Sequence, residues 1–101
     1  MEIITLIQGD DLGLDLEING DEEILQEIKD VFFSCKDENI SKKCTKIDEN
    51  LYFLDISAEK TKLFVPKIAS FDITLQFIDG RVVTKVYQNK LQILKKRNKI
   101  E

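Results

Sequence analysis

Cys35 and Cys44 are the side chains best suited to nucleophilic or metal-ligating chemistry, and the sequence contains no histidine to assist them. A catalytic thiol needs a base such as imidazole, and two cysteines without a CxxC motif are too few for a zinc site. A symmetric hairpin over the residues between them would place the thiols opposite each other, within disulfide reach. In a protein made in the cytoplasm, two buried or half-buried free thiols are expected instead. The sequence therefore predicts no enzyme, and no catalytic, cofactor-binding or metal-binding residues.

Acidic side chains are concentrated in the first quarter of the chain, which raises the question of a calcium site. Their spacing does not match an EF-hand loop, and Asp15 and Glu17 are expected on the outward face of a strand. Solvated loops and protection of an edge strand are the favoured interpretation, and a specific calcium site is the alternative. Catalytic carboxylate pairs are disfavoured, because no tryptophan is present to line a sugar-binding cleft. The acidic set comprises Asp10, Asp11, Asp15, Glu17, Asp21, Glu22 and Glu23.

Length and composition indicate one small folded domain. The 101 residues are 43% hydrophobic and carry a formal net charge of −4, a composition that folds. We expect a single domain over residues 1–101, with a basic tail at 95–101. No apolar run approaches the roughly 18 residues of a membrane helix, and the first residues do not resemble a secretory signal. A protein synthesised in the cytoplasm with no membrane partner is expected.

Charge is divided unevenly along the chain. Residues 1–50 hold 14 acidic and 5 basic side chains, whereas residues 51–101 hold 5 acidic and 10 basic ones. Two interpretations are open. Strands of the two halves interleave and average the charge, or two faces of opposite sign favour head-to-tail contact between copies. The net acidity argues against a nucleic-acid partner, since phosphate binding needs a dense basic surface.

Alternation of apolar and polar residues predicts an all-β protein. The clearest strands are Leu12–Ile18 and Phe71–Phe77, in which every second residue is apolar. Seven to eight short strands, with a turn about every ten residues, are typical of an antiparallel sandwich or small barrel. Further strands are expected at 3–7, 28–36, 43–48, 51–56, 81–87 and 91–93, with a short helical turn within 21–28 and a short turn after Ser57.

Asp79-Gly80 predicts a tight hairpin between the last two long strands, because a two-residue Asp-Gly loop is a preferred hairpin connection. This loop would fix the register and set mostly apolar residues opposite each other. The expected pairs are Phe77–Val82, Leu75–Thr84 and Ile73–Val86. The core face so predicted consists of Phe71, Ile73, Leu75, Phe77, Val82 and Val86.

Three stretches carry a resemblance to a known family. They are Gln8-Gly9-Asp10-Asp11 with the strand Leu12–Ile18 that follows, the connection Thr61-Lys62-Leu63, and the hairpin from Phe71 to Thr84. With this arrangement the chain resembles the N-terminal immunoglobulin-like domain of phage baseplate upper proteins and related small phage and prophage structural proteins. It differs from them at Ala69-Ser70-Phe71, where that family usually has a Gly-x-Tyr step, and at 21–28, which replaces a Gly-containing turn.

The resemblance implies an all-β, antiparallel immunoglobulin-like sandwich located in the virion. Its implied role is that of an oligomeric assembly or adaptor module in the tail, baseplate or connector region. The implied partners are other virion proteins and further copies of the chain, held by edge strands and rim charges. The alternative is a small-ligand or carbohydrate-binding β-sandwich module, for which two tyrosines and no tryptophan supply few aromatic surfaces.

Overall fold

The computed structural model describes residues 3–96, and strands dominate this part of the chain. The all-β prediction is confirmed, and the short helical turn expected within 21–28 is present. The elements are β1 (Ile4–Ile7), β2 (Leu12–Glu17), α1 (Glu22–Gln26), β3 (Ile28–Cys35), a 3-10 helix (Lys36–Glu38), β4 (Ile40–Lys43), β5 (Thr45–Asp48), β6 (Leu51–Ile56), α2 (Ala58–Thr61), β7 (Lys67–Phe77) and β8 (Val82–Leu94). Of the expected basic tail at 95–101, residues 97–101 lie outside the described residues.

The strands form two sheets. The larger has the order β1-β8-β7-β3-β4, and the smaller has the order β2-β6-β5. Strand β1 pairs with β8 in parallel, with Ile4 opposite Leu91, and the remaining pairs are antiparallel. A wholly antiparallel arrangement was therefore the wrong expectation. The first and last strands meet at the sheet edge without a tight turn between them, so nothing forces them to run in opposite directions.

The segment 43–48, predicted as one strand, is divided between the two sheets at Cys44. Strand β4 pairs with β3, whereas β5 pairs with β6. The Cys44 N–H donates to the Val31 carbonyl at 2.8 Å, and the Cys44 side chain is buried. The chain thus crosses from one sheet to the other through a residue anchored in the core.

The β7–β8 hairpin has a three-residue loop, so its predicted register was wrong by one residue. The Phe77 N–H donates to the Arg81 carbonyl at 2.9 Å, and Gln76 lies opposite Val82. A slip of one residue turns every side chain of a strand to the other face. Val82 and Val86, expected in the core, therefore lie on the opposite face and are 59% and 55% exposed. Val83, which takes their place on the inner face, is itself 51% exposed, so this part of β8 contributes little to the core.

One core lies between the sheets. Its centre is aromatic: the Phe71 ring stacks on Phe33 with centroids 5.3 Å apart, and on Tyr87 with centroids 4.9 Å apart. Inward-pointing residues at period two on β3, β6 and β7 supply most of the remainder. The buried apolar residues are Leu6, Leu16, Leu25, Ile28, Val31, Phe33, Cys35, Cys44, Tyr52, Leu54, Ile56, Phe64, Ala69, Phe71, Phe77, Leu91 and Ile93.

The acidic and basic halves of the chain interleave, as the first of the two interpretations of the charge distribution expected. The larger sheet combines β1, β3 and β4 from the first half with β7 and β8 from the second. Ion pairs connect acidic residues of the first half to basic residues of the second. They are Glu38–Lys67 at 2.9 Å, Glu27–Arg81 at 3.0 Å, and Asp10–Lys96.

Gly80→Val is expected to destabilise the protein more than Gly13→Ala. Gly80 has a φ of +94°, and a non-glycine residue there costs about 1–2 kcal/mol. A Cβ on Gly13 would lie 3.1 Å from the end of the half-buried Phe53 ring, which a small ring movement relieves. Urea unfolding of the two variants measures the difference. Equal midpoints would contradict the hairpin turn described above.

Candidate functional site

The two cysteines are buried and unpaired, and they do not lie opposite each other. Cys35 is opposite Ile40, whereas Cys44 bonds to Val31, four residues earlier on β3. Four residues of strand correspond to roughly 13 Å, which is beyond disulfide reach. The predicted opposition of the thiols was therefore wrong, because the chain reverses within 36–39 and places Ile40, not Cys44, opposite Cys35. The expectation of two buried free thiols is confirmed.

Burial also makes both thiols weak nucleophiles. Removal from water raises the pKa of Cys44 from its ordinary value of 9.0 to about 11. Burial likewise raises the pKa of Cys35, with further upward contributions from the charges of Asp37 and Glu38. A reactive cysteine needs the opposite shift, since the thiolate is the nucleophile. The thiols therefore contribute packing, and the candidate site lies elsewhere.

Stability is expected to decrease between about pH 9 and pH 11 because of Cys44. Below this window both states keep the thiol proton and stability is full. Within it the unfolded chain loses a proton that the folded chain retains, so the free energy of unfolding falls by up to about 1.4 kcal/mol per pH unit. Urea unfolding from pH 8 to 10.5 measures this slope. Cys44→Ala should reduce this slope without abolishing it, because burial also raises the pKa of Cys35 and of Tyr52. An unchanged slope in that variant would contradict the assignment.

The acidic residues of the first quarter are dispersed. Asp10 pairs with Lys96, and an oxygen of Asp11 accepts the Ala58 N–H at 2.6 Å. Asp15 and Glu17 lie on the outward side of β2, as predicted. Among residues 3–96, no group of three or more Asp, Glu or Cys side chains lies close enough together to bind a metal ion.

Thr61 connects the first turn of the chain to α2, a role that alternation of residue types does not predict. Its hydroxyl, in a side chain with 0% exposure, donates to the Asp10 carbonyl at 2.7 Å and accepts the Gly9 N–H at 3.1 Å. Two of the stretches that carry the family resemblance, Gly9-Asp10 and Thr61-Lys62-Leu63, therefore meet through one buried hydroxyl.

The first half of β8 forms an open sheet edge. Strand β1 covers only Leu91–Leu94, and no strand among residues 3–96 pairs with the other side of Val82–Tyr87. The Arg81 carbonyl accepts a hydrogen bond from the Phe77 N–H, so Arg81 is a hydrogen-bonded position of the β7–β8 ladder. Hydrogen-bonded and non-hydrogen-bonded positions alternate along an antiparallel ladder, so every second residue, beginning with Val82, directs its N–H and C=O groups away from β7. These residues are Val82, Thr84 and Val86. An open edge of this kind is a template for another strand.

A groove of about 420 Å³ runs beside this edge, between β2 and the inner face of the β7–β8 hairpin. Asp15 and Glu17 flank it on the β2 side, and Lys85 and Tyr87 project from β8. The Lys85 ammonium lies 5.5 Å from the centre of the Tyr87 ring. In the described part of the chain, neither carboxylate of β2 forms an ion pair. The edge and the groove together place unpaired backbone N–H and C=O groups, an apolar surface and the unpaired carboxylates of β2 next to one another.

The fold and this edge define a small all-β protein with an open strand edge in its larger sheet. Comparison of the chain with protein-family models, with curated proteins and with solved structures finds no match in any of the three. None of the helices in residues 3–96 is long and apolar enough to cross a membrane.

Proposed function

We propose that this chain is a structural protein of a phage or prophage virion, in the tail, baseplate or connector region. In this role it is an assembly or adaptor module without catalytic activity that binds neighbouring virion proteins. The observation that carries the proposal is the open edge Val82–Tyr87, because added strands hold such modules together through backbone hydrogen bonds. Residues that project from the edge then select the partner.

The strand order supports the finer proposal of an immunoglobulin-like sandwich. In such domains strands C, F and G are neighbours in one sheet, and strands B, E and D in the other. Here β3, β7 and β8 are neighbours, with β4 added beside β3, while β2, β6 and β5 form the second sheet. The first strand, A, of an immunoglobulin domain lies in the same sheet as strands B, E and D. Its counterpart here, β1, lies beside β8 in the other sheet. Antibody domains have a core tryptophan and a disulfide between the sheets, whereas this chain has no tryptophan and its two cysteines are free. Phe33 and Phe71 stack at the centre of its core instead.

The family resemblance supports the virion assignment. The stretches that carry it are the first turn, the Thr61-Lys62-Leu63 connection and the last hairpin. In this chain the first two are joined by hydrogen bonds, and the third presents the open edge. The resemblance thus rests on the parts of the molecule that fix its turns and its docking surface.

Mass spectrometry of purified phage particles tests the proposal. Particles induced from a host carrying the gene should contain the protein in several copies, and antibody against it should co-precipitate neighbouring tail or baseplate proteins. A capsid protein in the same sample provides the positive control. Consistent absence of the chain from intact particles would overturn the assignment.

The groove favours one alternative, a small-ligand or carbohydrate-binding module. Its volume of about 420 Å³ lies within the usual range of ligand pockets, and Tyr87 is its one aromatic lining residue. Such a module should bind on a glycan array or gain thermal stability with a ligand, and Tyr87→Ala should abolish the response. The assembly role predicts neither effect.

A further inference from the structure

We infer that the open edge of β8 pairs with the same edge of a second copy, antiparallel and with a two-fold axis through Thr84. This inference rests on the proposed assembly function and names the partner of its surface. The window for pairing is Arg81–Tyr87, because the Gly80 turn ends it on one side and an irregularity in the β7–β8 ladder ends it on the other. Thr84 is the centre of this window.

The backbone of the edge suits this arrangement. Val82, Thr84 and Val86 carry the outward-pointing N–H and C=O groups. With the axis at Thr84, these three residues face Val86, Thr84 and Val82 of the second copy. Each facing pair exchanges two hydrogen bonds, or about six in total. Side chains of a facing pair lie on the same side of the sheet, so valine meets valine and threonine meets threonine.

Charge selects this register from its neighbours. An axis at Lys85 would place the two Lys85 side chains directly opposite each other. An axis at Val83 would place Lys85 opposite Arg81, whose charge Glu27 and Asp79 already offset, and would leave Val86 facing the Gly80 turn, outside the window. Like charges directly opposite are destabilising in a sheet. With the axis at Thr84, Lys85 faces Val83 and Arg81 faces Tyr87. The register that uses the whole window is therefore also the one without facing cations.

The groove supplies a matching charge. Lys85 of the second copy would project from the added strand on the same side of the sheet as the groove. Asp15 and Glu17 of β2 line that groove and have no ion-pair partner among residues 3–96. Two equivalent sets of these contacts arise in a symmetric dimer, because a two-fold interface uses the same surface on both copies.

Charge substitutions at Thr84 test the inference. Thr84 is exposed, so a charged residue there is compatible with the fold. By analytical ultracentrifugation in the range 1–200 µM, the wild-type chain should sediment at twice its 11.7 kDa mass. T84K and T84E should each dissociate at least tenfold more readily, because each places like charges across the axis. An equimolar mixture of the two should dimerise again as a heterodimer.

Ile47→Lys is the matched control. Ile47 is 58% exposed on β5, similar to Val82 and Val86, but lies in the other sheet, so this variant should dimerise like the wild type. A wild-type chain that stays monomeric throughout, or a mixture of T84K and T84E that stays monomeric, would overturn the inference. A monomer that is nevertheless present in particles would leave the proposed function intact. If the chain forms a Thr84-dependent dimer but is absent from particles, the virion assignment is wrong and the dimer inference stands.

Discussion

Phe71→Ala is expected to lower the free energy of unfolding by about 3–5 kcal/mol, the largest loss for any single substitution considered for this chain. Phe71 is fully buried and lies between two rings, with centroids 5.3 Å from Phe33 and 4.9 Å from Tyr87. Truncation would remove both stacking contacts and leave a cavity in the core between the two sheets. Urea unfolding monitored by circular dichroism measures the loss.

Phe32→Ala is the matched control for this prediction. Phe32 lies in the same sheet, on β3, but opposite Thr74 and only half-buried. The same atoms are deleted in both variants, so the difference between them reports burial. Phe32→Ala should cost at most about half as much as Phe71→Ala, since less apolar surface returns to water. Equal losses would show that the aromatic stack is not the centre of the core.

Alternation of apolar and polar residues was enough to predict most strands and the identity of most inward-pointing residues. Strand β6 was predicted with its observed bounds, Leu51–Ile56, and β2 was predicted one residue too long. These strands pack one face against the core and leave the other toward solvent, so their period of two is a direct consequence of the fold. The all-β class followed from the same signal.

Turn geometry was harder to predict, and an error of one residue there changed a whole face. Asp-Gly fits a two-residue loop, but it also fits a three-residue loop with a left-handed glycine at its end. The second geometry occurs here, aided by the Asp79 side chain, which accepts the Arg81 N–H at 3.0 Å. The error is functionally important, because it moves Val82 and Val86 from the predicted core to the open edge.

Long-range contacts between irregular segments were not predictable from local patterns. The parallel contact of β1 with β8 joins residues that are almost a full chain length apart. The passage between sheets at Cys44 has no turn residue to mark it, since Lys43 and Thr45 on either side are ordinary strand residues. In both places the packing of the core, and not local preference, decides the path of the chain.

Thr61→Val is expected to lower the free energy of unfolding by about 2–4 kcal/mol, because it keeps the shape of the side chain and removes its hydroxyl. The Gly9 N–H and the Asp10 carbonyl would each lose a partner that lies 3.1 Å and 2.7 Å away, respectively, and an unsatisfied group in this position costs about 1–3 kcal/mol. Urea unfolding measures the loss, and amide hydrogen exchange at Gly9 reports whether the first turn has loosened.

Thr61→Ser separates the hydroxyl from the methyl group. Serine retains both hydrogen bonds and deletes one buried methyl, which costs about 1 kcal/mol. The serine variant should therefore be more stable than the valine variant and should keep the slow exchange of the Gly9 amide. If valine were tolerated as well as serine, the hydroxyl would not be what holds the first turn against α2. The first turn joins β1, which pairs with the last residues of β8, to β2, which flanks the groove. Loosening of this turn should therefore also weaken association through the β8 edge.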